Sequence, residues 1–194
     1  MTETVNTFGF QGRVEMGHSN ATEIEDTIRK KFPGCVIERA ILLDDKKGID
    51  YWITLPGGGA KIRIDVKRRE AGCSQNWFEG VEVTLESWSI MPSLTCPEPY
   101  PDCPEGVVGW TLDARKDTDY TLHVYHDIDT RDRPLLPFQQ LRMAFEKHLS
   151  EWMGRYKTRI QKTTRGGRYW FSQCVYVPLK VVMAAIDEQM AGGA

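Results

Sequence analysis

Residues 48–67, GIDYWITLPGGGAKIRIDVK, constrain the fold more than any other stretch of the chain. Two runs of alternating apolar and polar residues flank Pro56-Gly57-Gly58-Gly59, the signature of a β-hairpin. Ile49, Tyr51, Ile53 and Leu55 fall on one face of the first run, and Ile62, Ile64 and Val66 on one face of the second. With Gly57 and Gly58 as the turn, Tyr51 pairs with Ile64 and Ile53 with Ile62. Every apolar residue then meets an apolar partner, which a slip of one residue would destroy.

The same register sets Asp50 opposite Asp65, with Lys67 two residues on along the same face. Like charges directly across a hairpin repel, so this arrangement needs compensation. A lysine supplies part of it and a divalent cation more. Two carboxylates at this spacing can share Mg²⁺, which keeps several of its waters when bound in this way. Such an ion acidifies a bound water and neutralises phosphodiester charge, and Lys67 can orient the water or stabilise charge at phosphorus. An acid followed by a base two residues later is common in a chain with 27 acids and 25 bases. The hairpin context gives Asp65-Val66-Lys67 its meaning, and a charged surface pair is the plain alternative.

Around the hairpin, residues 21–32 read as a helix, with Asn20 as N-cap and Glu23 closing a capping box. Strands are expected at 35–43, 107–113, 119–127 and 169–177, and at 81–90 as a third strand of the hairpin's own sheet. Phe138, Leu141, Phe145, Leu149 and Trp152 form one stripe of a helix over 135–154, and Pro178 starts a last helix. The expected fold class is α/β, one domain over 1–194 with a mixed central β-sheet flanked by helices.

Hydrophobic residues at 41% and charged residues at 27% suit a globular domain. No apolar run is long enough to span a membrane, and the first residues lack the pattern of a secretory signal, so a cytoplasmic protein is expected. The five cysteines, without a Cys-x-x-Cys pair, are expected to be reduced thiols. His123 and His126 sit on opposite faces of their strand and cannot form one ligand pair, and Trp77, Trp88 and Trp110 are expected to be partly buried.

Charge is distributed unevenly. Residues 131–180 hold eleven basic and three acidic residues, a balance of +8 in a chain whose net charge is -2. From Trp152 to Phe171 there are six basic residues, Arg155, Lys157, Arg159, Lys162, Arg165 and Arg168, and no acid, with aromatic residues interleaved. That mixture suits nucleic acid; a solvated helix end followed by a strand explains it equally well.

The acid-bearing helix, the Asp on a hairpin and the Asp-x-Lys on the returning strand together resemble the PD-(D/E)XK nuclease superfamily, with its restriction-endonuclease-like fold. The motif covers residues 20–67, with Ile49 standing where proline is usual. The resemblance implies Asp50 and Asp65 as metal ligands, joined by the Val66 carbonyl, and Lys67 as the catalytic lysine. Glu23 would be the helix carboxylate, or Glu25 if Glu23 caps the helix, and Glu82 is a lesser candidate for which plain surface exposure is favoured. The implied function is a Mg²⁺-dependent endodeoxyribonuclease, with Mn²⁺ able to substitute, that hydrolyses DNA with metal-activated water. The chain's size suits a structure-selective, junction-resolvase-like enzyme, and a homodimer is compatible with that. A non-catalytic nucleic-acid-binding or inhibitory protein that retains the nuclease fold is the alternative, and an interaction protein with an accidental carboxylate pair is a third.

Overall fold

The computed structural model describes residues 21–41, 44, 47–69, 77, 80–93, 95, 105–129, 132–165 and 168–192. In chain order the elements are α1 (Ala21–Lys31), β1 (Val36–Arg39), β2 (Tyr51–Thr54), β3 (Lys61–Arg69), β4 (Glu82–Ile90), β5 (Val107–Val108), β6 (Tyr120–Tyr125), β7 (Leu135–Pro137), α2 (Phe138–Arg155), β8 (Thr158–Arg165), β9 (Arg168–Pro178) and α3 (Leu179–Gly192). The strands form two sheets. The first is mixed, in the order β1-β2-β3-β6-β7, and the second is antiparallel, in the order β5-β4-β9-β8. Among the described residues only β3 and β6 pair in parallel.

Each sheet has its own apolar layer. Ile24 and Ile28 of α1 cover Tyr51, Ile53, Ile64, Leu122 and Val124 of the first sheet. Leu141, Phe145 and Trp152 of α2 and Val182 and Ile186 of α3 cover Val83, Leu85, Val175 and Val177 of the second. The side of the first sheet away from α1 meets the second sheet through polar contacts. Arg69 Nε donates to Thr84 Oγ1 at 3.1 Å, and the Tyr125 hydroxyl donates to the Glu82 carbonyl at 2.7 Å. The architecture is therefore α/β with a mixed sheet and flanking helices, as expected, with a second sheet in addition.

Several elements differ from expectation. Residues 81–90 do form a strand, but β4 lies in the second sheet between β5 and β9. Its first four residues, Glu82 to Leu85, are all buried, because helices cover one face and the first sheet the other. Only Val107–Val108 of 107–113 is strand; the chain turns at Gly109, where a Cβ would collide with the Glu86 carbonyl. The start of the 135–154 helix is instead strand β7, since Pro137 holds φ -64° and ψ 119° and drives its neighbour to extended backbone. Strand β8 was hidden in the charged run: it has no buried alternating face and is held by its ladder with β9. Asn20, and so its capping role, lies outside the described residues, as do Cys73, Cys96 and Cys103; Cys35 and Cys174 are free thiols. Among the described residues no helix is long and apolar enough to cross a membrane.

Leu85 is fully buried between α2, α3 and β9, whereas Ile160 on β8 is 45% exposed. Leu85→Ala is expected to cost about 2–5 kcal/mol and Ile160→Thr less than about 0.5 kcal/mol. Urea denaturation midpoints of the two variants against wild type test this division of the core.

Candidate active site

Gly57 and Gly58 both hold positive φ, 80° and 75°, as a tight two-residue hairpin turn requires. The turn sets the β2–β3 register at Tyr51↔Ile64 and Ile53↔Ile62, the pairing expected from the alternation. Asp50 is the residue just before β2. Its N–H donates to the Ile64 carbonyl and its own carbonyl accepts from the Ala40 N–H, both at 2.9 Å. With its backbone pinned between these partners, its carboxylate folds onto β3 and accepts the Val66 N–H at 2.6 Å.

Strand β3 turns Ile62, Ile64 and Val66 toward α1 and so turns Asp65 and Lys67 the other way. Asp65 is 4% exposed. Lys67 Nζ lies 2.9 Å from its Oδ1 and 2.7 Å from its Oδ2. The Asp50 carboxyl lies near enough to Asp65 to feel its charge. Burial, reinforced by the Asp65 charge, pushes Asp50 up to about 7 against the pull of the Val66 amide and Lys67.

The hairpin thus gathers two carboxyl groups and one ammonium. Burial and the Asp65 charge favour the protonated form of Asp50, which removes one of the two negative charges. A hard divalent cation would serve equally. Among the described residues no three His, Cys, Asp or Glu side chains converge as a metal cage. A pair of carboxylates whose other ligands are backbone carbonyl, water or phosphate suits Mg²⁺, and not Zn²⁺ with its four protein donors.

The helix carboxylates are not brought to this pair. Glu23 is held by the buried Arg133 guanidinium and lies 3.6 Å from His126 Nδ1. Arg133 also donates to Thr27 Oγ1 at 2.9 Å, and His126 Nε2 meets Arg68 at 2.9 Å. Glu25 pairs with Arg39 at 2.9 Å and Arg29 at 3.3 Å, and the Arg39 hydrogen bond holds its carboxyl below the usual range. The reason is geometric: α1 packs on the Ile64 face of the sheet, while Asp65 and Lys67 occupy the other. Glu82 is buried at 5% exposure in the second sheet, not exposed as favoured.

Two residues join the site that the sequence gave no signal for. Trp110 presents its ring to Lys67, with Nζ 4.5 Å from the centroid. His123 is Lys67's neighbour in the β3–β6 ladder and is 1% exposed. Burial, with Arg69 and Lys67 nearby, lowers its pKa to about 3, so the imidazole is neutral. His126 lies on the Glu23 side, as the alternation required. Trp77, Trp88 and Trp110 are partly buried as expected.

Among the described side chains the basic residues do not all share one face: Lys157, Arg159 and Arg168 fall on one face of the β8–β9 ladder and Lys162 on the other. In the β8–β9 register Arg159 pairs with Cys174, Lys162 with Phe171 and Arg165 with Arg168. Lys157 sits over the Tyr176 ring at 6.0 Å. Tyr176 and Cys174 pair with Thr84 and Glu86, so Lys157 and Arg159 share the face that meets the first sheet. Lys162 is on the opposite face, 4.0 Å from the Tyr169 centroid. Arg155 ends α2 beside Glu151 at 3.6 Å. A cleft of ≈ 600 Å³ opens near Arg63, Lys116, Asp119 and Gln140, away from the carboxylate pair.

Because folded Asp50 holds its proton up to about pH 7 and an unfolded aspartate only to about 4, Asp50 favours folding in acid. Its contribution is complete below about pH 4 and is lost as pH rises through about 7. In EDTA, the stability of wild type relative to Asp50→Asn is therefore expected to fall between those values and then level off. Thermal melts of both proteins across that range measure it, and a flat difference would place Asp50 in water.

No protein-family model, curated protein or solved structure matches the chain, so what the site does has to be read from its own geometry.

Proposed function

We propose that the chain is a Mg²⁺-dependent endodeoxyribonuclease of the PD-(D/E)XK type. The observation that carries this reading is the meeting of the Asp50 and Asp65 carboxyls with Lys67 on one hairpin. The order of elements supports it, since α1 precedes a β1-β2-β3 meander that bears Asp50 and Asp65-Val66-Lys67.

In this reading Asp50 and Asp65, with the Val66 carbonyl, hold the ion. When bound, Mg²⁺ would neutralise phosphate charge and acidify a water. The Val66 amide fixes the Asp50 carboxylate, so one ligand is oriented before the ion arrives. Lys67, anchored by both oxygens of Asp65 and 23% exposed in its side chain, faces charge developing on the phosphate. Glu23 plays no part in holding the ion; it neutralises Arg133. Lys157 and Arg159, on the sheet face turned toward the first sheet, would hold the DNA backbone.

Purified protein with Mg²⁺ or Mn²⁺ is expected to nick supercoiled or branched DNA, and EDTA to stop it. Asp65→Ala and Lys67→Ala should each lower cleavage at least about a hundredfold while DNA binding persists. Binding without cleavage, identical in wild type and Asp65→Ala, would instead favour a non-catalytic nucleic-acid-binding protein.

Glu23→Gln is expected to keep cleavage and to cost about 1–3 kcal/mol of stability, because Arg133 is left buried without its carboxylate. Cleavage assays beside denaturation of the same sample separate these effects. Replacing Lys157 and Arg159 together by Ala should reduce the slope of log affinity against log salt by about 2, read by fluorescence anisotropy on labelled duplex.

A further inference from the structure

We infer that Trp110 is the positioning residue for Lys67, an aromatic seat that holds the ammonium at the carboxylate pair; its catalytic consequence rests on the nuclease reading above. Lys67 Nζ has Asp65 on one side and the Trp110 ring on another, at 4.5 Å from the centroid. A lysine on a four-carbon stem has many rotamers, and one carboxylate leaves it free to swing about that anchor. A ring face as the second anchor narrows the choice, and cation–π attraction strengthens as water is excluded.

The seat is itself built into the second sheet. The Trp110 N–H donates to Glu86 Oε2 at 3.0 Å, and the Gly109 N–H donates to the Ser87 carbonyl at 2.9 Å. The Glu86 N–H in turn donates to Thr111 Oγ1 at 2.9 Å. Gly109 lies so close to β4 that a Cβ would strike the Glu86 carbonyl, so no larger residue fits there. These contacts clamp residues 109–111 onto β4 on both sides of the tryptophan. The ring is then wedged by Phe138 of α2, stacked at 6.3 Å and 24°, and by His123 of β6 at 6.3 Å.

Lys67 lies in the first sheet and Trp110 in the turn that follows β5 and is hydrogen-bonded to β4 of the second, so this second anchor exists only when the two sheets are docked. Neutral His123 packs beside the seat without adding a competing charge.

Lysine acetylation read by mass spectrometry tests the seat without reference to cleavage. Lys67 is expected to be protected in wild type. Trp110→Leu should raise its labelling about tenfold over the other lysines, and Trp110→Phe, which restores a ring, should stay within about threefold. In cleavage, Trp110→Leu should lower kcat about tenfold at unchanged KM, with Trp110→Phe largely recovering it. Unchanged Lys67 labelling in Trp110→Leu that keeps a native circular dichroism spectrum overturns the seat, whatever cleavage does. Labelling that responds while no protein cleaves DNA leaves the seat standing and removes the nuclease reading. If Trp110→Leu does not fold, the wild-type NMR spectrum decides. Lys67 ε-methylene protons shifted upfield by the ring, identified by their loss in Lys67→Arg, support the seat; unshifted protons overturn it.

Discussion

Strand β3 is covered on both sides, and the two coverings demand opposite chemistry. Toward α1 it presents Ile62, Ile64 and Val66 to an apolar layer. Toward the second sheet it presents Asp65, Lys67 and Arg69, which reach a carboxyl neighbour, an aromatic ring and a threonine hydroxyl. A two-residue period cannot satisfy both unless the register is held, and the Gly57-Gly58 turn and the apolar β2 partners hold it. Everything proposed for the site depends on that strand staying in place by one residue.

The polar layer between the sheets costs stability, and its details show how the cost is contained. Asp65 is matched by Lys67, Arg69 by Thr84, and Tyr125 by a backbone carbonyl. Thr121 Oγ1 and His123 Nε2 are buried without a hydrogen-bond partner, and Asp50 receives one amide hydrogen bond while burial and the neighbouring Asp65 charge push its pKa up. A buried like-charge pair is unfavourable unless a proton or a cation joins it. That local excess of negative charge is the physical reason to regard the hairpin as a functional site and not as an ordinary polar sheet face. The Glu23–Arg133 pair on the far side shows the contrast, since there a buried guanidinium meets a carboxylate of opposite charge.

The charged segment after α2 illustrates how backbone geometry reinterprets composition. As a string it is a single cationic run; as strand β8 it sends Lys157 and Arg159 to one face and Lys162 to the other. The face carrying Lys157 and Arg159 is the one turned toward the carboxylate sheet, so the charge available to a polyanion there is smaller than the run suggests. Arginine and lysine along this edge also discourage another strand from pairing with it.

Residue order alone was enough for the hairpin and its register from Tyr51↔Ile64 to Thr54↔Lys61, because alternation, a glycine turn and side-chain period are all local; Asp50, expected opposite Asp65, lies just outside that ladder and reaches β3 through the Ile64 carbonyl and the Val66 amide. The amphipathic stripe of α2 and the opposed faces of His123 and His126 were legible for the same reason. The sheet to which β4 belongs was not, since a strand's own pattern says which residues are buried but not what buries them. Nor could the sequence tell that α1 would dock on the Ile64 face and surrender Glu23 to Arg133, or that Trp110 would come from the turn after β5 to meet Lys67. Those contacts join residues far apart in the chain, and only the packing of two layers against one another brings them within reach.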